Sequence, residues 1–112
     1  MANKIANRTI IIRDNINMVI KEVIINNTAL KGYEIELPRA MLVVLRAPRG
    51  FVMCGYLNID AADKFNDIAA IVRGIKTIDE LLEKDVSAVS KAASEAGITV
   101  GMTGRQAISL ML

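Results

Sequence analysis

The stretch MLVVLRAPRGFVMC, residues 41–54, decides the fold of this 112-residue chain. Two apolar runs, residues 41–45 and 51–54, flank a short polar segment. In that segment Pro48 fixes φ at the second position of a turn, and Gly50 is free to adopt the left-handed conformation that often closes such hairpins. The stretch therefore predicts two antiparallel strands. Because both are apolar on both faces, we expect them at the centre of a sheet that is covered on each side.

A third strand is predicted immediately upstream. Residues 33–37 (YEIEL) alternate between apolar and acidic side chains, and Pro38 ends the run. This alternation is typical of a strand with one wet face, on which Glu34 and Glu36 would lie. Its nearest partner is residues 18–27, whose Ile and Val spacing also fits an amphipathic helix. The density of β-branched residues and the pair Asn26-Asn27, which favours a hairpin connection, indicate a strand.

The second half of the chain changes to a helical period. Asp60 is placed to cap a short helix that runs to about residue 66. On the helical spacing this helix buries Ala61, Ala62 and Phe65.

Three further elements follow. Residues 68–72 (IAAIV) predict a buried strand. Thr77, with Glu80 three residues later, predicts a capping box that opens a helix. The apolar stripe over residues 86–96 predicts another helix, which Gly97 ends in a left-handed conformation.

Residues 98–100 (ITV) suit a short strand, and Thr103 with Gln106 predicts a second capping box for a final helix that runs to the C-terminus. Strands first and helices after make the fold class α+β rather than doubly wound. We expect an N-terminal antiparallel β-meander followed by short helices and one or two short strands, in a single domain.

The N-terminal residues stand apart. Residues 1–17 are Asn-rich and irregular around the run TIII at residues 9–12, which is either a short strand or an ordered arm. We therefore divide the chain into an N-terminal extension or arm, residues 1–17, and one α+β domain, residues 18–112.

The composition predicts an oligomer. Hydrophobic residues make up 53% of the chain, and a domain of this size has little interior in which to bury them. The surplus side chains either lie at the surface or contact another subunit. We expect the second outcome, a homo-oligomer.

Several classes of protein are excluded by the residues that the chain lacks. It has no His and one Cys, so zinc, haem and blue-copper sites have no ligand set, His-dependent triads are excluded, and we expect no cofactor. The longest apolar run is far below the ~18 residues of a membrane span. A net charge of +2 is too balanced to indicate nucleic-acid binding. The absence of a secretory signal and of a disulfide fits the cytoplasm.

Cys54 is the one candidate nucleophile. It is predicted at the end of a buried strand, followed by Gly55, which would let a substrate approach the backbone. A reactive thiol needs a lowered pKa, and with no His this would have to come from Arg73, Lys76 or helix amides. The alternative is favoured: a free cysteine is usually buried and packs as a small apolar side chain.

A second candidate site is a glycine-rich segment before the last helix. Gly97, Gly101 and Gly104 precede the helix start, where backbone amides bind anions, and Arg105 adds a bidentate partner for phosphate or carboxylate. Each glycine has an equally good structural reason in a helix end or a tight turn, and Thr103 is then only a cap.

Two more groups of polar residues have a functional and a structural interpretation. The loop at residues 73–77 (RGIKT) follows a strand and precedes a helix, a common place for ligand contacts, or it is a solvated turn. Asp60, Asp63 and Asp67 share one side of a short helix. They are either Mg²⁺ ligands or, as ordinary helix chemistry favours, a cap and a solvated face.

Four segments together resemble a known family. They are Leu37-Pro38, FVMCGYL at residues 51–57, GIKTIDELL at residues 74–82 and GITVGMTGR at residues 97–105. In this order they are similar to the YunC-like family of uncharacterised bacterial and archaeal proteins, from about Met18 to the C-terminus. The resemblance implies a small α+β domain whose N-terminal β-region mediates tetramerisation. It implies no activity.

The predicted function is therefore a cytoplasmic homo-oligomer, a tetramer built through the N-terminal sheet, that binds a small anionic ligand. The ligand is expected where three strand or helix ends converge, near Cys54, Gly55, Arg73, Thr103, Gly104 and Arg105. Two alternatives stay open: a Cys54-dependent enzyme of unknown reaction, and a purely structural oligomer without a ligand.

Overall fold

The computed structural model describes residues 8–13 and 17–112. Within them the chain forms one seven-stranded sheet and four short helices. The strands are β1 (Arg8–Arg13), β2 (Asn17–Ile25), β3 (Thr28–Glu36), β4 (Met41–Arg46), β5 (Gly50–Met53), β6 (Ile68–Ile71) and β7 (Ala88–Val89). The helices are α1 (Ile59–Lys64), α2 (Ile78–Glu83), α3 (Lys91–Glu95) and α4 (Gly104–Ser109).

The strands lie in the sheet in their sequence order. Neighbours are antiparallel except β5 and β6, which are parallel and are joined through α1. The α+β class, the N-terminal meander and the short helices after it are thus confirmed. None of the helices in this part of the chain has the length and apolar character that a membrane span requires.

The ambiguous segment at residues 18–27 is a strand. Asn26 and Asn27 both have positive φ, 48° and 65°, and Ile25 pairs with Thr28 across them. Two left-handed residues in a two-residue loop form the turn whose twist matches a β-hairpin, and Asn tolerates that conformation. Within the predicted N-terminal extension, residues 8–13 form β1, which pairs with β2 at the edge of the sheet, and Asn17 begins β2; residues 1–7 and 14–16 lie outside the described residues.

One face of the sheet carries the core. Helices α2 and α4 pack over β3, β4 and β5, and α3 packs over β6. The largest side chains that are fully buried between these layers are Leu45, Ile78, Leu81, Ile98, Ile108 and Met111.

The opposite face is covered by helix only at β6, where Ala62 of α1 and Ala69 and Ile71 are buried outside the main core. Over β2 to β5 this face is formed by side chains that are all partly exposed, and we call it the open face. Its apolar members are Met18, Ile20, Ile24, Tyr33, Ile35, Leu42, Val44, Phe51 and Met53. Within the described residues, the central strands are therefore covered on one side only.

The orientation predicted for β3 is wrong. Glu34 faces the helices and is only 6% exposed, while Tyr33 and Ile35 lie on the open face. Its charge is compensated there, because the Glu34 carboxylate accepts the backbone N–H of Ile78 at 2.7 Å and lies 3.1 Å from Lys21 Nζ. An alternating pattern separates two faces but does not say which one is covered.

Helix α1 differs from its prediction at both ends. Asn58, not Asp60, is the N-cap, and its side chain accepts the N–H of Ala61 at 3.2 Å. Of the three residues expected to be buried only Ala62 is; Ala61 is exposed and Phe65 is 77% exposed. The helix has six residues and packs mainly on β6, so a single side chain suffices to bury its contact.

The helix predicted over residues 86–96 is wrong in its first half, which contains β7. Helix α3 begins only after Ser90, whose hydroxyl accepts the N–H groups of Ala93 and Ala69 and donates to Asp67. This buried hydroxyl caps the helix and binds the β6 backbone at the same time, which separates strand from helix.

The strand predicted at residues 98–100 is also wrong. Gly97 has φ +92°, and the N–H of Ile98 donates to the carbonyl of Ala93, so these residues close the end of α3 rather than pair in a sheet.

The left-handed conformation expected for Gly50 is wrong, because its φ is not positive. A Cβ on it would collide with the Ile68 carbonyl oxygen, so the close approach of β6 explains this glycine.

Candidate functional site

Cys54 follows β5 directly and is 4% exposed. Its Sγ accepts the N–H of Val43 at 3.4 Å and donates to the Met41 carbonyl at 3.8 Å. The thiol thus lies between β4 and β5 with both of its weak hydrogen bonds made to backbone.

A groove of about 390 Å³ opens beside this thiol. Three connections build it: the turn between β3 and β4, the turn after β5, and the loop between β6 and α2. We call it the Cys54 groove; its lining residues are Arg39, Ala40, Met41, Cys54, Gly55, Tyr56, Gly74, Ile75 and Lys76.

The charged side chains of this groove are all cationic. Arg39 and Lys76 line it, and the guanidinium of Arg73 lies 3.3 Å from the position that a Cβ on Gly55 would take. Among the described residues no ion pair involves these three; the pairs found there join Lys21 to Glu34 and Asp79, and Arg105 to Glu83. The groove therefore concentrates positive side chains that form no ion pair within the described chain, and the nearest carboxylate contact is that of Glu80 with the backbone N–H of Lys76 at 2.7 Å.

The rest of the groove is apolar or aromatic. Met41 and Ile75 supply aliphatic surface, and Tyr56, 56% exposed, supplies a ring with a hydroxyl. Ligand sites typically combine a mainly apolar lining with a few polar groups that fix orientation. This arrangement fits a small molecule with an anionic group and an apolar part.

The structure brings Cys54, Gly55 and Arg73 together, whereas Thr103, Gly104 and Arg105 lie elsewhere. Arg105 borders a separate depression with residues 24–26, and its guanidinium contacts Glu83 at 2.8 Å.

The glycine-rich segment before α4 uses its amides within the chain. The N–H of Thr103 donates to the side chain of Gln106, whose own N–H donates to the Thr103 hydroxyl, so the predicted capping box is confirmed. The N–H of Gly104 donates to the Lys84 carbonyl at 2.9 Å. A Cβ on Gly104 would collide with the carbonyl oxygen of Leu81, which explains this glycine by packing.

Sequence reasoning missed Arg39. The available signal was its position directly after Pro38, in the turn that returns the chain toward Cys54, but nothing local indicates that this turn lies beside residues 73–76. Lys76 was considered as an activator of the thiol and as part of the loop at residues 73–77, a candidate for ligand contacts. It is a lining residue, in the loop that the sequence did single out.

The three carboxylates near α1 do not form a cluster. Asp63 Oδ1 accepts the N–H of Lys91 at 2.8 Å, and Asp60 lies in the first turn of the helix. In the part of the chain that the structure describes, no group of three or more His, Cys, Asp or Glu side chains is placed to hold a metal ion.

A larger depression, about 540 Å³, lies at the turn end of the open face. We call it the hairpin pocket because the β4–β5 hairpin forms most of it. Its lining residues are Tyr33, Val44, Arg46, Ala47, Pro48, Arg49, Gly50, Phe51, Asn66, Asp67 and Ile68.

The fold and the groove define a class of protein: a small α+β domain with a sequential seven-stranded sheet, three of the four helices on one face, and a cationic groove at the end of β5. Residues 53–111 match the family model of the domain of unknown function DUF1805, and the chain belongs to this family.

Two relatives support the assignment. The chain is 30% identical to the uncharacterised protein YunC of Bacillus subtilis strain 168 over 94 residues, which are 80% of this chain and 93% of YunC. It also resembles the crystal structure of a protein of unknown function from Thermoplasma acidophilum. There the TM-score is 0.84 and the identity 31%, over 90% of this chain and 99% of that one. The resemblance to the YunC-like family is confirmed, and neither relative carries a stated activity.

Proposed function

We propose that this protein is a cytoplasmic homo-oligomer that assembles through the open face of its N-terminal sheet and binds a small anion in the Cys54 groove. The main evidence for the proposed assembly is the open face itself. Nine partly exposed apolar side chains lie together on four adjacent strands of this face, and a cluster of exposed apolar side chains is typical of a protein–protein contact.

The position of the polar residues supports this assembly. Glu34 of β3 faces the core, and the apolar Tyr33 and Ile35 face outward, where Lys31 is the one charged side chain of this strand. A second copy that covers these side chains removes them from water, which stabilises the complex by about 25 cal/mol for each Å² of apolar surface. The tetramer that the family resemblance implies would cover the face in each subunit.

A charge placed in the centre of the open face tests the assembly. We expect Val44→Glu to dissociate the oligomer, since the new carboxylate would be buried without a partner in the contact. Ser94→Glu, on the exposed side of α3, is the matched control and should leave the mass unchanged. Sedimentation velocity gives the mass, and far-UV circular dichroism shows that both variants fold. A folded Val44→Glu variant with the wild-type mass would contradict the proposed interface.

The anion site rests on a second observation, the cations of the Cys54 groove, which form no ion pair within the described chain. Arg39 and Lys76 line it and Arg73 adjoins Gly55. Guanidinium and ammonium groups bind carboxylate and phosphate through charge-assisted hydrogen bonds. The apolar lining by Met41 and Ile75 favours an organic anion over an inorganic one.

Citrate and inorganic phosphate are suitable probes, compared at matched ionic strength with sodium chloride. A ligand present at about 100 times its dissociation constant stabilises the native state by about 2.7 kcal/mol. We therefore expect a melting temperature raised by several degrees. Arg39→Gln and Lys76→Gln should abolish the rise, while Arg105→Gln, outside the groove, should retain it. A rise that survives the first two variants, or no rise with either anion, would contradict the site.

A further inference from the structure

Phe65 is the most exposed large apolar side chain of the described residues, at 77%. It is held in this position by an ordered helix end. Its own N–H donates to the carbonyl of Ala61, and the N–H groups of Asn66 and Asp67 donate to Asp63 and Ala62. Asn66 has φ +58°. This double closure is the Schellman motif, which fixes the backbone around the helix end.

The hairpin pocket begins at the residues that follow Phe65. Asn66 and Asp67 form one of its walls, and the open-face side chains Tyr33, Val44 and Phe51 form its apolar part. An exposed aromatic side chain and an aromatic-lined pocket therefore adjoin on one edge of the molecule. Phe65 is not among the lining residues of the pocket in its own chain.

The surface around Phe65 and the far side of the hairpin pocket carry opposite charge. Asp60, Asp63 and Asp67 lie on α1 and the turn after it, against one basic residue there, Lys64. The other side of the pocket carries Arg46 and Arg49.

Lys31 pairs in register with Arg46 and lines the depression beside the hairpin. Among the described residues none of Lys31, Arg46 and Arg49 takes part in an ion pair. The acidic α1 surface is therefore complementary to the basic hairpin surface of another copy.

We propose that Phe65 of one subunit inserts into the hairpin pocket of a second copy of this chain, and that the second copy does the same in return. A contact related by a two-fold axis requires both halves of the interface on one surface, and α1 and the hairpin pocket satisfy this requirement. Buried aromatic side chains and arginines are the residues that dominate such contacts. The contact is continuous with the open face and rests on the proposed assembly.

Two variants, each with one cysteine added to the native, buried Cys54, test the contact directly. Phe65→Cys and Arg49→Cys proteins are mixed and oxidised, and the disulfides are mapped by peptide mass spectrometry. Neither protein carries both new thiols, so a disulfide between positions 65 and 49 is intermolecular by construction. We expect this disulfide to form. Its absence from a mixture that remains oligomeric would overturn the docking of Phe65 but leave the open-face assembly intact.

A second measurement separates docking from general loss of apolar surface. We expect Phe65→Ser to raise the dissociation constant of the oligomer about 10-fold or more, as truncation of an aromatic side chain that is buried in a contact does. Val100→Ser, which removes another exposed apolar side chain (60% exposed) from a different turn, should leave it unchanged. Equal effects of the two variants would overturn the inference, and a monomeric wild type would overturn the proposed assembly as well.

Discussion

The position of several residues in this structure is explained by the contacts of their polar atoms. Glu34 is the clearest case: a carboxylate within the buried layer that accepts the first free amide of α2 and pairs with Lys21. Ile78, the donor of that amide, also packs over Gly32, where a Cβ would lie 2.7 Å from Ile78 Cδ1. Charge pairing and close packing together attach α2 to β3.

The stability of the protein should depend strongly on this carboxylate. We expect Glu34→Ala to lower the free energy of unfolding by about 3 kcal/mol, because it leaves a buried amide without its acceptor and leaves Lys21 with only the 3.8 Å contact to the exposed Asp79. Glu36→Ala on the same strand is the control; its carboxylate is exposed and accepts from Asn17 at 2.6 Å, so about 1 kcal/mol or less is expected. Urea unfolding at fixed protein concentration measures both. Equal losses would mean that the Glu34 contacts contribute little.

The Cys54 thiol should be slow to react. It is almost fully buried, and its two hydrogen bonds are made to backbone groups rather than to a cation. We expect iodoacetamide at neutral pH to modify native Cys54 at least 100-fold more slowly than the thiol in the urea-unfolded chain. Rapid and selective alkylation of the native protein would instead favour the thiol-dependent enzyme.

At the scale of elements, turns and caps determine where each strand and helix ends. The two-residue loop between β2 and β3 is an example, since both of its residues are left-handed. Replacement of Asn27 by Ala should destabilise the hairpin by about 1 kcal/mol because a Cβ without a polar side chain disfavours this conformation. Asn27→Gly should be close to neutral, because glycine adopts the conformation freely but gains entropy in the unfolded chain. Thermal unfolding compares the two variants; equal destabilisation would contradict the turn assignment.

The elements that were predicted correctly are those that depend on residues close together in the sequence. The β4–β5 hairpin, β6 and the caps at Thr77 and Thr103 were predictable, since each depends on residues a few positions apart. The stripe over residues 86–96 was misinterpreted because Ser90 bonds to β6, a contact that local periodicity does not contain. The orientation of β3 was predicted wrongly for the same reason, since the contacts of Glu34 with Ile78 and Lys21 are also not contained in the local pattern.

The candidate site was predictable only in part. The sequence placed Cys54, Gly55 and Arg73 at ends of neighbouring strands, and these residues do meet. It could not show that α4 begins on the other side of α2, where Arg105 pairs with Glu83, or that the turn at Arg39 faces the groove. Such juxtapositions follow from tertiary packing rather than from spacing along the chain.

At the scale of the whole molecule, the central feature is a sheet with α2, α3 and α4 on one face and, over β2 to β5, an apolar surface on the other. The hydrophobic surplus of the composition lies largely on this open face, on side chains that are partly exposed in the single chain. The hairpin pocket and Phe65 lie at its margin, and the Cys54 groove lies at the ends of its central strands. Assembly and ligand binding would thus use different parts of one sheet.

The mass of the native protein tests this account most directly. Multi-angle light scattering of the full chain at micromolar concentration should give a multiple of the 12.2 kDa subunit, and about 49 kDa for the tetramer that the family resemblance implies. A dimer would retain the open-face contact and correct only the number of copies. A mass of 12.2 kDa, unchanged on concentration, would contradict the claim that the open face is a subunit interface.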